Sequence, residues 1–116
     1  MTEHQLQKLI CNLLEYSGIF FFETDVMDGL KFCGSERQRL SFINHHKQMG
    51  YKKGQSDLII VLPKRIVFVE IKNGKEGRQS EEQKKFQKIV ESNFHSYEIW
   101  RNIQDCQTFI KKIVKN

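Results

Sequence analysis

The 116-residue sequence lacks the features that would place a protein in a membrane or in an oxidising compartment. No apolar run approaches the roughly 20 residues of a membrane span, and no signal peptide opens the chain. The three cysteines are scattered and odd in number, and none has the Cys–Cys or Cys–His spacing of a zinc site. They are Cys11, Cys33 and Cys106. We therefore expect reduced thiols in a soluble, cytoplasmic protein.

The sequence also has no internal repeat, low-complexity tract or linker, so we expect residues 1–116 to form one domain. A hydrophobic content of 39% with 11% aromatics is typical of a folded chain. The net charge of +5 favours a polyanionic partner, with nucleic acid first. The alternative is a basic domain whose charges are only solvated.

Hydrophobic spacing predicts the element order α-β-α-β-β-α-β-α. Capping residues at Thr2, Ser35, Ser80 and Asn102 predict the helix starts. The helices are predicted at 3–16, 36–49, 81–92 and from 103 past Ile113, and the strands at 19–25, 57–62, 66–72 and 95–100. A loop is predicted at 26–35. A strand, helix and strand in succession predict a parallel crossover, and hence a mixed central β-sheet with helices on both faces.

The aromatic run Phe20–Phe22 in the first predicted strand allows two interpretations. A run without alternation predicts either burial on both faces of the sheet or a surface for a partner. The second predicted helix is polar, with a thin apolar stripe and several basic residues. Those basic residues indicate either a solvated face or contact with phosphates.

Two acids and a lysine lie at the ends of the predicted hairpin. Strand side chains alternate between faces, so Glu70 and Lys72 point the same way. With Lys64-Arg65 at the hairpin centre, Asp57 lies opposite Lys72 and all three share a face. A one-residue slip would put Asp57 on the other face. Two carboxylates beside an ammonium suit a hard divalent cation and a charged transition state, so the pattern favours phosphodiester chemistry.

Two further polar residues each have a structural and a functional interpretation. Gln83 is either only the partner of the Ser80 capping box or a side chain beside the hairpin acids. Glu3 is either a favourable first-turn acid or a member of the same site.

The spacing of these residues resembles a nuclease signature. An Asp, twelve intervening residues and Glu-x-Lys resemble the PD-(D/E)xK nuclease motif. The segments Gly54-x-x-Asp57, Val69-Glu70-Ile71-Lys72 and Gly77-Arg78-x-Ser80-x-x-Gln83 closely resemble its VRR-NUC branch, the virus-type replication-repair nucleases. The resemblance extends to residues 50–54 and to Glu3-x-x-Leu6-Gln7, covers nearly the whole chain and is closest to stand-alone, phage-type members. One departure is Ser56, where the family usually has a proline, and its expected effect is a looser turn.

The resemblance implies a restriction-endonuclease-like three-layer α/β/α fold and a role for each matching residue. Asp57 and Glu70 match the metal-binding carboxylates, the Ile71 carbonyl completes that set, and Lys72 matches the lysine that positions or activates water. Gln83 matches the helix glutamine of the catalytic site. Glu3 matches a further metal ligand, acting directly or through water, with Gln7 as the alternative. The implied cofactor is Mg²⁺ or Mn²⁺.

The expected function is metal-dependent, structure-selective DNA endonuclease activity, with Holliday-junction resolution by a homodimer as the first candidate. Four basic residues flank the site and are expected to hold backbone phosphates: Lys52, Lys53, Lys75 and Arg78. A two-fold dimer matches the symmetry of a four-way junction, and Phe20–Phe22 or the middle helix would supply its interface. The alternatives are a nuclease of the same fold cutting duplex, flap or single-stranded DNA, and a non-catalytic DNA-binding module. The intact Asp57, Glu70 and Lys72 argue against the last.

Overall fold

A computed structural model describes residues 1–24 and 27–114 of the chain. The helices are α1 (Glu3–Tyr16), α2 (Glu36–Gln48), α3 (Glu81–Ser92) and α4 (Ile103–Val114), and a 3₁₀ helix covers Met27–Phe32. The strands are β1 (Phe21–Glu23), β2 (Leu58–Leu62), β3 (Arg65–Ile71) and β4 (Ser96–Trp100). The predicted element order is confirmed. The 3₁₀ helix lies where a loop was predicted, which fits the use of such short turns as connectors. Asp25, Val26 and Lys115, which fell within predicted elements, lie outside the described residues.

The four strands form a mixed sheet in the order β1-β2-β3-β4. β2 pairs antiparallel with both of its neighbours, and β3 pairs parallel with β4 through the crossover helix α3. Buried residues of α1 and α4 join those of one sheet face in a single core cluster, which includes Ile10, Val69 and Phe109. On the other face, Phe86 of α3 packs against Phe68 of β3. The predicted three-layer α/β/α architecture is therefore confirmed.

Helix starts follow the predicted capping chemistry. The capping boxes at Thr2 and Ser80 are complete, with both reciprocal hydrogen bonds present. At Ser35 the side chain accepts a hydrogen bond from the Gln38 amide, but the Gln38 side chain turns instead to the amide of Gly34. Together these bonds satisfy amide groups that a helix end would leave unpaired.

The predicted register of the hairpin was wrong. Leu62 pairs with Arg65, so the turn is made by Pro63 and Lys64 rather than by Lys64 and Arg65. Proline fixes the φ angle that the first central turn position needs and has no amide for the ladder, so it belongs in the turn. Leu58 pairs with Val69, and the Asp57 amide donates to the Val69 carbonyl, so Asp57 does not lie opposite Lys72.

Of the two interpretations of Phe20–Phe22, burial on both faces of the sheet is wrong. β1 is an edge strand, and Phe20 and Phe22 are 67% and 46% exposed. Ile89 of α3 is exposed, and α2 has no buried residue. Within the described part of the chain, no helix is long and apolar enough to cross a membrane.

Candidate active site

Glu70 on β3 is a carboxyl group that the fold buries, with 2% of its surface exposed. Its Oε1 accepts a hydrogen bond from Gln83 Nε2 and lies 3.7 Å from Lys72 Nζ. Its Oε2 is buried and has no hydrogen-bond partner among the described residues. Burial raises the pKa of Glu70 from 4.5 to about 8, and the Asp57 charge raises it too, while Lys72 partly offsets both. A cation near Oε2 would offset the free-energy cost of burying this carboxylate and its repulsion with Asp57.

Asp57 lies immediately before β2 and is tied to β3 by two hydrogen bonds. Its amide donates to the carbonyl of Val69 at 2.9 Å, and its Oδ2 accepts from the amide of Ile71 at 2.7 Å. The carboxylate is therefore fixed where it interacts with Glu70. Ile71, whose carbonyl is the third predicted metal ligand, is held directly beside it.

Lys72 and Gln83 hold Glu70 from two sides. The Lys72 side chain is only 12% exposed, and its amide donates to the Trp100 carbonyl, which fixes the end of β3. Gln83 Oε1 accepts from the amide of Ser80 at 2.8 Å while its Nε2 donates to Glu70. Gln83 therefore caps α3 and contacts Glu70 at once, so it is not only a capping partner.

Glu3 is the one predicted metal ligand that lies on a helix rather than on the hairpin. It is exposed in the first turn of α1, and its charge contributes less than that of Asp57 to the raised pKa of Glu70. Across residues 1–24 and 27–114, no three His, Cys, Asp or Glu side chains are grouped to hold a metal ion. The role of Glu3 as a metal ligand therefore stays a prediction. Gln7, the alternative to Glu3, is half-buried.

Asp57 and Glu70 nevertheless fit a small divalent cation. Mg²⁺ usually takes only one or two carboxylates and completes its coordination with water and substrate phosphate oxygens. Glu70 offers an unpartnered oxygen, and the repulsion between the two acids is what a cation would remove. The residues present thus fit Mg²⁺ or Mn²⁺ with a two-carboxylate site.

The four predicted phosphate-binding residues, Lys52, Lys53, Lys75 and Arg78, are all exposed. Lys53 Nζ lies 3.7 Å from a carboxylate oxygen of Glu82. The loop that carries Lys75 and Arg78 is fixed by Arg101, which donates to the carbonyls of Gly74 and Gly77. Arg101 could not be predicted from the sequence, because one arginine after a strand forms no motif.

A cleft beside Asp57 contains residues that the sequence reading missed. It is lined by Thr24, Met27, Tyr51, Gln55, Ser56 and Asp57. A second cleft shares Tyr51 and Gln55 and continues to His46 and Met49 at the end of α2. Gln55 donates to the carbonyl of Thr24 at 2.7 Å and so joins the two sides. Its place inside Gly54-x-x-Asp57 is the one signal that could have found it.

Ser56, which stands where the resembling family usually has proline, is 2% exposed. Its hydroxyl donates to the carbonyl of Leu58 at 3.2 Å, and its own carbonyl accepts from the Thr24 hydroxyl. These hydrogen bonds hold the turn before Asp57 where a proline ring would otherwise restrict it.

Position 54 requires a glycine because the backbone there lies in close contact with the backbone of α3. Its φ is +88°, and a Cβ there would lie 2.7 Å from the amide nitrogen of Gln83 and closer still to the Glu82 carbonyl. We therefore expect Gly54→Ala to destabilise the fold by at least about 3 kcal/mol, since it adds a backbone clash to the strain of a left-handed conformation. Urea unfolding measures the change.

Gly18→Ala is the matched control for Gly54→Ala. Gly18 has a φ of +72° but open space where the Cβ would be, so only the conformational cost of about 1 kcal/mol is expected. Equal destabilisation by the two substitutions would contradict the tight packing of Gly54 on α3.

Comparisons with known proteins identify the fold that carries this site. No family model and no curated protein matches the chain. A solved structure described as a "VRR_NUC domain protein" superposes with a TM-score of 0.72 over 99% of this chain and 89% of that chain, at 18% identity. The chain has the fold of a VRR_NUC domain protein. This agrees with the restriction-endonuclease-like architecture that the sequence resemblance implied.

Proposed function

We propose that residues 1–116 form a VRR-NUC-type nuclease domain that hydrolyses DNA phosphodiester bonds with Mg²⁺ or Mn²⁺. The observation that carries the proposal is Glu70, buried with an unpartnered Oε2 beside Asp57 and 3.7 Å from Lys72 Nζ. Burying an ionisable carboxyl among other charges costs free energy, and such clusters mark functional sites more often than passive binding surfaces. The fold shared with a VRR_NUC domain protein supports the same conclusion.

The residues take the following roles in this proposal. Asp57, Glu70 and the Ile71 carbonyl would hold the metal ion, which when bound supplies charge neutralisation at the phosphate and lowers the pKa of water. Lys72 stabilises the negative charge that develops on the phosphate. Gln83 keeps Glu70 in position, and Glu3 acts from the edge of the site through water. The short distances around Glu70 support these assignments.

DNA would be held by its backbone. The exposed side chains of Lys52, Lys53, Lys75 and Arg78 flank the acids on the segments before β2 and after β3. Contacts of this kind fix position rather than read sequence, and they weaken steeply as salt rises. A cytoplasmic location belongs to the proposal, and the free state of all three cysteines supports it.

Branched DNA is the proposed substrate, with a homodimer acting on four-way junctions. A two-fold dimer presents two active sites to a junction of the same symmetry. The exposed residues Leu40 and Met49 on and after α2 support α2 as the contact with a second copy, since none of the side chains of that helix is fully buried. The alternatives are cleavage of flaps, duplex or single strands, and binding without cleavage.

A substrate panel tests the proposal. The purified protein is incubated with Mg²⁺ or Mn²⁺ and end-labelled four-way junction, flap, duplex and single-stranded DNA, and its mass is measured by sedimentation. We expect paired, symmetric nicks in the junction, little cleavage of linear duplex, and a dimer. Binding of DNA without cleavage of any substrate would refute the enzyme, and cleavage of duplex as fast as junction would refute the branched substrate.

A further inference from the structure

The exposed aromatic side chains of β1 lie on the same face of the sheet as the buried acid Glu70. Phe22 pairs with Ile59, and Ile59 pairs with Phe68, so these three side chains form one row across the sheet. Glu70 follows Phe68 by two residues on β3 and therefore points to the same side. The neighbouring row on the side away from Glu70 contains Phe20, whose carbonyl accepts a hydrogen bond from the Val61 amide.

Only part of this face is covered. Phe86 of α3 packs on Phe68 with ring centroids 5.7 Å apart. Phe20, immediately before β1, Phe22 on β1 and Val61 on β2 are instead 67%, 46% and 41% exposed. The rings of Phe20 and Phe22 contact each other, with centroids 6.3 Å apart. The result is an open apolar strip, defined by Phe20, Phe22 and Val61, that runs toward the site.

We propose that this strip is a stacking surface for unpaired bases of DNA next to the cleaved phosphate. This rests on the proposed nuclease function. Strand spacing puts Phe22 roughly 12 Å from Glu70, which is the reach of three or four stacked nucleotides. Every base has a flat π-face that stacks on an aromatic ring, whereas paired duplex hides those faces. The strip thus supplies a preference for branched substrates over linear duplex.

The size of the strip fits bases better than a second copy of the chain. Its three side chains expose roughly 300 Å², whereas a stable protein interface buries about 800 Å² on each partner. β1 has only three residues, so its free edge offers too few backbone groups to pair with another strand. The strip is also continuous with the sheet face that carries Glu70, which DNA must reach for cleavage.

Fluorescent DNA tests the stacking surface. A flap carries 2-aminopurine in its single strand beside the branch, a matched duplex carries it in a pair, and Ca²⁺ replaces Mg²⁺ to allow binding without turnover. We expect Phe20→Leu with Phe22→Leu, which keep apolar volume but remove the rings, to weaken flap binding about 5- to 100-fold. Duplex binding and the salt dependence should not change, since phosphate contacts remain.

Two control variants separate stacking from general apolar contact. Phe22→Trp keeps a ring and should retain binding and the fluorescence change. Phe94→Leu removes a ring that is 96% exposed, after the C-terminal end of α3, and should have no effect. If the double leucine variant bound the flap as tightly as the wild type, the stacking inference would be wrong but the proposed function would stand. The same would hold if the wild type were a dimer and the double leucine variant a monomer, because the strip would then be a dimer interface. Failure of the wild-type protein to bind either DNA would overturn the proposed function as well.

Discussion

Replacing Lys72 with methionine is expected to lower the single-turnover rate of DNA cleavage by about 100- to 1,000-fold, the usual cost of losing one preorganised charge at a transition state. The Lys72 side chain is 12% exposed and its Nζ lies 3.7 Å from Glu70 Oε1, so its charge acts in a partly buried site where water screens it less than at the surface. Methionine keeps the length and the apolar stem. The measurement is a rapid-mixing cleavage assay with enzyme in excess over DNA.

Lys75→Met is the matched control for Lys72→Met. Lys75 lies three residues later in an exposed loop, where its proposed partner is a backbone phosphate. Its loss should weaken DNA binding and reduce the salt slope by about one unit, but leave the rate at saturation unchanged. If Lys72→Met changed affinity alone and kept the rate, Lys72 would be only another phosphate contact.

Removing the charge of Glu70 is expected to change how the stability of the metal-free protein depends on pH. Burial, with the Asp57 charge as a second cause, raises the pKa of Glu70 from 4.5 to about 8. Between these values the folded state keeps a proton that the unfolded state has lost, so stability falls as pH rises. The full change is on the order of 5 kcal/mol. In Glu70→Gln this fall should disappear.

Urea unfolding in EDTA at pH 5 and pH 9 measures this effect. The quantity to compare is the difference in the free energy of unfolding between pH 5 and pH 9. The free-energy cost of burying the amide of the variant is the same at both pH values and cancels in this difference. Glu81→Gln, at a side chain that is 79% exposed, should behave like the wild type. Mn²⁺ should stabilise the wild-type protein at pH 8 but not Glu70→Gln. The same pH slope in the wild type and Glu70→Gln would contradict the raised pKa.

Local signals were enough to predict most of the fold. Capping residues such as Thr2 and Ser80 act within one helical turn, so the sequence predicts the start of α1 and of α3 accurately. Register depends on competition between neighbouring turn residues, and Pro63 took the position assigned to Lys64. The exposure of Phe20 and Phe22 depends on which strand ends at the sheet edge, and hydrophobicity alone carries no such information.

The site was predictable where it follows one segment and not where it joins distant ones. Glu70 and Lys72 are two residues apart on one strand, so alternation brought them together. The link from Gln83 to Glu70 and the fixing of the 74–77 loop by Arg101 arise from the tertiary fold. Glu3 is distant from the hairpin in sequence, and only the tertiary fold lets its charge act on Glu70.

One cleavage experiment tests the central claim most directly, that Asp57 and Glu70 form a metal-dependent phosphodiesterase site with Lys72. End-labelled four-way DNA is incubated with the wild-type protein in Mg²⁺, with the wild-type protein in EDTA, and with Glu70→Gln in Mg²⁺. The account predicts cut strands in the first sample only. Equal cleavage in EDTA, or by Glu70→Gln at the wild-type rate, would contradict it.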